Sequence, residues 1–81
     1  MTDVASRVKS VVIRTLKVDP GRITPQARFV EDLGAESIQS IELIAAFEEE
    51  FDIEMDEEAA TGVKTVGGAV DFIQKVIARQ K

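Results

Sequence analysis

Residues 34–51 read GAESIQSIELIAAFEEEF, and this stretch predicts an amphipathic helix from Ser37 to about Phe51. At 100° per residue, one arc is apolar apart from Ser40 and forms the predicted core face of Leu43, Ile44, Phe47 and Phe51. The neighbouring arc lies beside Ser37 and mixes apolar with acidic side chains: Ile38, Ile41, Glu42, Ala45, Glu48, Glu49 and Asp52. Two isoleucines among carboxylates indicate the centre of a patch that docks on another protein.

The acidic residues are concentrated around this helix. Twelve of the fifteen Asp and Glu residues lie between Glu31 and Glu58, a segment without Lys or Arg, whereas all ten basic residues lie outside it. The formal charge of −5 therefore combines a segment of −12 with flanks that sum to +7. This segregation predicts a surface that meets a basic partner, and it argues against nucleic acid and anionic membranes as partners.

Length and composition limit the classes of protein to consider. With 81 residues there is room for one hydrophobic core, so we expect residues 1–81 to form a single domain. The absence of Cys excludes disulfides and thiol nucleophiles, and the absence of His removes the commonest general base and metal ligand. No apolar stretch could span a bilayer and the N-terminus lacks a signal peptide's apolar core, so we expect a soluble, cytoplasmic protein without stable membrane insertion. A small apolar patch also predicts a monomer.

A helix is predicted at each end of the chain. The first runs from about Asp3 to Lys17, capped by Thr2 or Asp3, and its apolar stripe is Val4, Val8, Val11, Val12 and Leu16. The last runs from Thr65 or Val66 to about Arg79, and its buried side is Val66, Ala69, Val70, Phe72, Ile73, Val76 and Ile77. Its two adjacent glycines, at 67 and 68, weaken the first turn but permit another backbone to approach closely.

Two connections complete the predicted fold. The first, from about Val18 to Glu36, is long for a compact domain, and its apolar anchors Ile23, Phe29, Val30 and Leu33 predict that it packs across the bundle, with Gly34 making the turn. The second, residues 52–64, is irregular apart from a short helix at about Glu57–Thr61 that ends at Gly62. The sequence thus predicts an all-α fold: a small four-helix bundle of three main helices and one short helix, with a long first loop.

Ser37 at the head of the central helix has three possible roles. As a hydrolytic nucleophile it would need a base, but the chain has no His and the nearest titratable groups are Glu36 and Glu42, without a strand–turn–helix arrangement around them. As an N-cap it would be an ordinary helix start. As a substrate it would be modified by another enzyme that lands on the acidic helix, where the helix N-terminus favours an attached phosphate. The residues alone favour capping over modification.

The stretch FVEDLGAESIQSIELIAAFEEEFDIEMDEE, residues 29–58, resembles the acyl carrier protein family. The likeness continues more loosely through Val8 and Val11–Val12 and through Val66–Ile73, so it covers essentially the whole chain. In that family a Ser in an Asp-Ser-Leu motif, at the start of the second helix, receives 4′-phosphopantetheine from coenzyme A, and Ser37 matches that serine. The resemblance implies a non-catalytic carrier that holds an acyl group as a thioester on this arm, in fatty acid, lipid or polyketide-type biosynthesis.

The resemblance also implies the partners of the chain. They are phosphopantetheinyl transferase and the acyl-loading and acyl-transfer enzymes, which have basic docking patches. The carboxylates implied to face them are Glu36, Glu42, Glu48 and Glu49, around an apolar centre of Ile38 and Ile41 with Ala45 beside it. The bundles of this family can also hold an acyl chain between their helices.

Four positions depart from the family pattern. The usual Asp before the serine is Glu36, the usual Leu after it is Ile38, and the usual Asp two residues after it is Gln39. A bulky residue, commonly Met, is replaced by Ala45. These changes predict weaker or retuned recognition by generic partners, and therefore a specialised carrier rather than a housekeeping one.

Two other functions compete with the carrier. Residues 52–56, DIEMD, alternate acids like a calcium loop, but an EF-hand needs Gly where Glu57 stands and a bidentate acid where Val63 stands, so we expect no specific metal site. The second alternative is an acidic helical interaction module that is never modified, with Ser37 as a cap. Modification at Ser37 separates that module from the carrier.

Overall fold

The computed structural model describes residues 3–80, apart from the side chains of residues 57 and 80, as four α-helices joined by irregular segments. They are α1 (Val4–Leu16), α2 (Ser37–Phe51), α3 (Glu57–Thr61) and α4 (Val66–Gln80), with a 3-10 turn at Pro20–Arg22 between α1 and α2. The predicted all-α fold of three main helices and one short helix is confirmed, whereas the 3-10 turn was not predicted. Within the described residues, every helix is too short or too polar to cross a membrane.

Helix α1 contacts both α2 and α4 and supplies three fully buried side chains to the core. Its Val8, Val11 and Val12 side chains have no exposed surface. Full burial of an aliphatic side chain contributes about 1.5–3 kcal/mol, which offsets the low helix propensity of so many β-branched residues. Asp3 is the N-cap and accepts a hydrogen bond of 2.8 Å from the Ser6 amide. The other predicted cap, Thr2, lies outside the described residues.

The core faces of α2 and α4 lie where the periodicity predicts them. On α2, Leu43, Phe47 and Phe51 are buried, and Ser40 and Ile44 are half-buried at the edge of the same face. On α4 the side chains of Val66, Ala69 and Ile73 are buried, and the other predicted positions are half-buried against the core: Val70, Phe72, Val76 and Ile77. The core is therefore aliphatic with three phenylalanines, one of them from the long loop before α2.

That loop packs across the bundle, but one of its predicted anchors was wrong. Ile23, Phe29 and Leu33 are buried, whereas 55% of Val30 is exposed. The cause is a tight turn in which the amide of Leu33 bonds to the carbonyl of Arg28 at 3.0 Å, and that of Gly34 to the carbonyl of Val30 at 3.2 Å. Because the chain reverses there, Phe29 and Leu33 enter the core while Val30 between them faces outward. Gly34 has φ of 73°, the left-handed conformation predicted for this turn.

The loop is joined to the start of α4 by main-chain hydrogen bonds. The amide of Phe29 donates to the Lys64 carbonyl at 2.9 Å, and Arg28 and Thr65 form an isolated antiparallel bridge. The amide of Gly67 donates to the Pro25 carbonyl at 2.9 Å. A Cβ atom at Gly67 would lie 2.8 Å from that carbonyl oxygen, so the predicted close approach of another backbone is confirmed at this glycine.

Candidate functional site

The head of α2 is capped by its neighbours and leaves Ser37 free. The N-cap is Glu36, in an extended conformation, and its amide donates a hydrogen bond of 2.9 Å to Oε1 of Gln39. Ser37 is the first helical residue, it is exposed, and its hydroxyl makes no hydrogen bond to any described residue. The interpretation of Ser37 as an N-cap is therefore wrong. Gln39 lacks the charge of the usual Asp but supplies a capping bond to this turn.

An ion pair between Arg28 and Asp32 stabilises the loop that precedes Ser37. The Arg28 guanidinium donates to both carboxylate oxygens of Asp32, through Nε at 3.1 Å and through a terminal nitrogen at 3.2 Å. The Arg28 amide also donates to Asp32 Oδ2 at 2.8 Å. These hydrogen bonds hold the pKa of the Asp32 carboxyl below its ordinary value of 3.8. The Asp32 carboxylate therefore pairs with Arg28 within the loop, although Asp32 belongs to the acidic segment of the sequence.

A cavity of about 370 Å³ opens beside Ser37. It lies between α2, α3, the start of α4 and the loop before α2, and most of its lining is apolar. The buried or half-buried apolar residues that line it are Phe29, Leu43, Ile44, Phe47, Met55, Ala60, Val63 and Ala69. The exposed residues that line it are Val30, Glu31, Ser37, Ile41, Thr61 and Lys64. An exposed hydroxyl therefore stands where an aliphatic chain can pass from solvent into the bundle.

The residues predicted to form a docking patch lie on the outer face of α2. The side chains of Ile38 and Ile41 are 65% and 59% exposed, which no ordinary core position would be. Four other predicted members of the patch are exposed around them: Glu36, Glu42, Ala45 and Glu49. A single face thus combines an apolar centre with an acidic rim, beside the Ser37 hydroxyl.

Glu48 belongs to this face only in part. Its residue is half-buried, and its Oε2 accepts a hydrogen bond of 2.9 Å from the Met55 amide. The carboxylate therefore joins α2 to the segment before α3, a contact that the helical periodicity of α2 does not reveal. Its charge still contributes to the face, but its position is set by the bundle.

Glu50, next to the patch in sequence, points to the opposite side of α2. Its carboxylate pairs with Arg7 at 3.0 Å and with Arg14 at 3.3 Å, and Arg7 also donates to the Glu50 carbonyl. Hydrogen bonding by Arg7 holds the pKa of the Glu50 carboxyl below its ordinary value of 4.5. The Arg7 guanidinium also lies 4.4 Å from the centre of the Phe51 ring. Arg7 thereby fastens α1 to the C-terminal end of α2 and neutralises one acid of the segment.

Two of the three alternating acids after α2, Asp52 and Asp56, are helix caps. Asp52 closes α2 in the left-handed conformation, with φ of 54°. Asp56 is the N-cap of α3 and accepts a hydrogen bond of 3.0 Å from the Glu58 amide. In the described part of the chain, no group of three or more Asp or Glu side chains is arranged to hold a metal ion. Capping accounts for the resemblance to a calcium loop at both aspartates.

Comparison with known proteins identifies the family. The family model described as "Phosphopantetheine attachment site" matches residues 6–73. An acyl carrier protein from Phenylobacterium zucineum (strain HLK1) is 52% identical over 75 residues, which cover 93% of this chain and 95% of that protein. The chain belongs to the acyl carrier protein family. Two further acyl carrier proteins, from Caulobacter vibrioides strains NA1000 and CB 15, are each 49% identical to the carrier over 78 residues, 96% of this chain and 100% of those proteins.

Membership of this family implies that the carrier bears covalently attached 4′-phosphopantetheine. The residues at the head of α2 fit such a group. An ester to the prosthetic group needs an accessible hydroxyl, and the Ser37 hydroxyl is exposed and unbonded within the described residues. An acyl chain on the arm needs apolar surroundings, and the cavity beside Ser37 provides them.

Two residues of the cavity rim were not predicted from the sequence to belong to the site. Val30 is apolar, which predicts a place in the core, and Lys64 lies outside the acidic segment that contains the predicted site residues. One signal was available for Lys64: it is the first basic residue after Arg28 in the chain. Val30 had no such signal, because its exposure depends on the turn geometry.

Proposed function

We propose that this chain carries acyl groups as thioesters on 4′-phosphopantetheine attached to Ser37, and passes them between enzymes of fatty acid, lipid or polyketide-type biosynthesis. The observation that carries the proposal is the position of the Ser37 hydroxyl, which is exposed, lines an apolar cavity and makes no hydrogen bond to the residues that the structure describes. Full-length similarity to acyl carrier proteins supports the same function.

The chain takes part in loading as a substrate and not as a catalyst. Ser37 Oγ forms a bond to a phosphorus atom of coenzyme A, the bond from that phosphorus to the nucleotide portion breaks, and the hydroxyl proton leaves to a base. The chain has no His, and within the described residues no hydrogen bond joins the Ser37 hydroxyl to the carboxylate of Glu36 or Glu42. The phosphopantetheinyl transferase therefore supplies the base.

The outer face of α2 guides the partners to Ser37. Its exposed carboxylates attract basic surfaces over a distance of about 8–10 Å at physiological ionic strength, while Ile38 and Ile41 supply the apolar contact once the partner has arrived. Exposed charges of this kind raise association rates more than they raise affinity. That combination suits a carrier, which must meet several enzymes in turn and leave each of them.

The cavity holds the cargo between those encounters. Its apolar lining favours an aliphatic acyl chain, because each buried methylene contributes about 0.8 kcal/mol. Burial beside Phe47 and Met55 also keeps water from the thioester. Which acyl chain is carried depends largely on the enzyme that loads it.

Departures from the family pattern at the head of α2 support a specialised member with dedicated partners. Glu36 is one methylene longer than the usual Asp, Ile38 replaces Leu and Gln39 removes a charge. Ala45 leaves a small, exposed residue in the patch where a bulky one is usual. A partner matched to this face needs a shape that fills the space beside Ala45.

Intact mass after incubation with coenzyme A and a promiscuous phosphopantetheinyl transferase tests the proposal. We expect the wild type to gain the mass of one phosphopantetheinyl group and Ser37→Ala to gain nothing. Ser40→Ala is the matched control, since it removes a hydroxyl three residues along the same helix and should load normally. Loading of Ser37→Ala would refute the site. Absence of loading in the wild type, with this transferase and with those of the source organism, would instead favour an unmodified acidic interaction module.

A further inference from the structure

Lys64 occupies a fixed position at the mouth of the cavity. It lies between α3 and α4, its side chain is exposed, and it lines the same cavity as Ser37. Its carbonyl accepts the hydrogen bond of 2.9 Å from the Phe29 amide, and the next residue, Thr65, forms the bridge with Arg28. The backbone of residue 64 is therefore held against the loop that leads to Ser37.

Two consecutive hydrogen bonds join Lys64 to the head of α2. The first is the bond from the Phe29 amide to the Lys64 carbonyl. The second runs from the amide of Ala35 to the carbonyl of Phe29, at 2.8 Å. Ala35 is buried and lies two residues before Ser37. Lys64 and Ser37 both line the cavity, and these two main-chain hydrogen bonds connect the backbone at Lys64 to the segment just before Ser37.

The charge of Lys64 is unusual for its surroundings. Among the described residues that line the cavity it is the one base, and Glu31 is the one acid. Within the described part of the chain, the ion pairs of basic residues are made by Arg7, Arg14, Arg28 and Lys75, and Lys64 makes none. A cation beside the acidic patch also repels a basic partner, so docking does not explain it.

We propose that Lys64 binds the phosphodiester of the group attached to Ser37 and thereby turns the arm toward the cavity. The inference rests on the proposed function, because it needs the group to be on Ser37. A phosphodiester adds a negative charge at the cavity mouth, and the Lys ammonium is a flexible point charge suited to phosphate. Lys64 is a positioning residue, since it acts on where the cargo lies and not on its chemistry.

The interaction between Lys64 and the phosphodiester is weak because Lys64 is exposed to solvent. An exposed ion pair changes an equilibrium by about two- to fivefold at most, and salt screens it. That strength biases the arm toward the cavity while leaving it free to move into the active site of a partner. A docking enzyme with its own basic groups can then compete for the same phosphate.

The first test measures the phosphate itself. Wild type, Lys64→Gln, Lys64→Arg and Lys75→Gln are loaded enzymatically, loading is checked by intact mass, and the ³¹P resonance is recorded at low and high salt. Lys75→Gln is the matched control because it also removes one positive charge, from an Asp71–Lys75 pair on α4. We expect the resonance to move in Lys64→Gln at low salt, to stay near the wild-type position in Lys64→Arg and Lys75→Gln, and to converge in all four at high salt.

The second test measures where the cargo lies. Each variant is loaded with an octanoyl thioester, and its cleavage by hydroxylamine is followed by mass. We expect Lys64→Gln to be cleaved about two- to fivefold faster than wild type and the Lys75→Gln control, the effect of one exposed ion pair. Equal unfolding temperatures of the unloaded wild type and Lys64→Gln will show that the change is not structural.

The outcomes separate this inference from the proposed function. If the wild type loads with neither the promiscuous transferase nor those of the source organism, the proposed function fails. If it loads but its ³¹P resonance is the same in Lys64→Gln, the assignment of Lys64 to the phosphodiester is wrong. A change in cleavage without a change in the ³¹P resonance would also overturn it, because Lys64 would then act on the cargo directly.

Discussion

The Glu48 carboxylate accepts a hydrogen bond of 2.9 Å from the Met55 amide. A residue of the predicted docking patch therefore also positions Met55, which lines the cavity. Without Glu48 the Met55 amide loses its partner in a part-buried position. We therefore expect Glu48→Ala to lower the free energy of unfolding by about 1 kcal/mol. Glu42→Ala, on the exposed part of the same face, should change it by less than about 0.5 kcal/mol. Urea unfolding of both variants checks this, and equal effects would contradict the structural role of Glu48.

Charge reversal on the docking face should slow loading without unfolding the carrier. Glu42 and Glu49 are the suitable pair, because both are exposed and Glu48 is tied to Met55. In Glu42→Lys/Glu49→Lys we expect the rate of loading at low substrate concentration to fall about tenfold at low salt, and the deficit to shrink as salt rises. The matched control is Glu54→Lys/Glu58→Lys, which changes the net charge equally at exposed positions outside α2. An equal loss in both would point to net charge rather than to the face.

Gly67 should not tolerate even one added methyl group. Its Cβ would lie 2.8 Å from the Pro25 carbonyl oxygen, which is a main-chain atom that cannot rotate away. Such overpacking costs about 1–3 kcal/mol, which outweighs the gain of about 1 kcal/mol in helix propensity from Gly→Ala. At Gly68 the nearest atom is Oγ1 of Thr65, at 3.1 Å.

We therefore expect Gly67→Ala to be less stable than Gly68→Ala in urea unfolding. Because the displaced loop leads to Ser37, the amide resonances of residues 35–37 should also shift in Gly67→Ala and stay in place in Gly68→Ala. If Gly67→Ala and Gly68→Ala are equally stable and the resonances of residues 35–37 do not shift, the loop at Pro25 moves aside without loss of stability.

The Arg7–Glu50 pair should stabilise the carrier only above acidic pH. The pKa of Glu50 is lower in the folded chain than its ordinary value of 4.5, so its contribution is complete above that value. The contribution of the pair to stability disappears as the pH falls through the lowered pKa that Glu50 has in the folded chain. We therefore expect the unfolding temperature of wild type to exceed that of Glu50→Gln at pH 7, and the two to converge as the pH falls through the lowered pKa of Glu50 in the folded chain. Glu54→Gln, which removes an exposed carboxylate, is the control, and a constant difference for Glu50→Gln would contradict the assignment.

The helices were predictable because they depend on local signals. The periodicity of Val8, Val11 and Val12 and the start of α2 at Ser37 are properties of neighbouring residues, and both are confirmed. The roles of Val30 and Glu48 were not predictable in the same way. The exposure of Val30 depends on main-chain bonds within a turn, and the bond of Glu48 joins it to a residue seven positions away.

In the candidate site, too, the features that depend on local signals were predictable and those that depend on distant contacts were not. The docking face follows from helical spacing, so the exposure of Ile38 and Ile41 is confirmed. The cavity is formed by segments far apart in the chain, and pattern alone cannot bring Phe29 beside Lys64. The attachment of the arm to Ser37 stays a prediction until it is measured. Its support from family likeness is separate from its support from geometry, and the two agree.

The hydrogen bonds between residues 25–29 and residues 64–67 join main-chain atoms. At Gly67 the nearby Pro25 carbonyl leaves no room for a side chain. The side chain of Lys64, in contrast, is exposed to solvent. Mutation can therefore change the charge at position 64 while the distance to Ser37 stays the same. A carrier with this backbone can therefore be tuned in how firmly it holds its arm at little cost in stability.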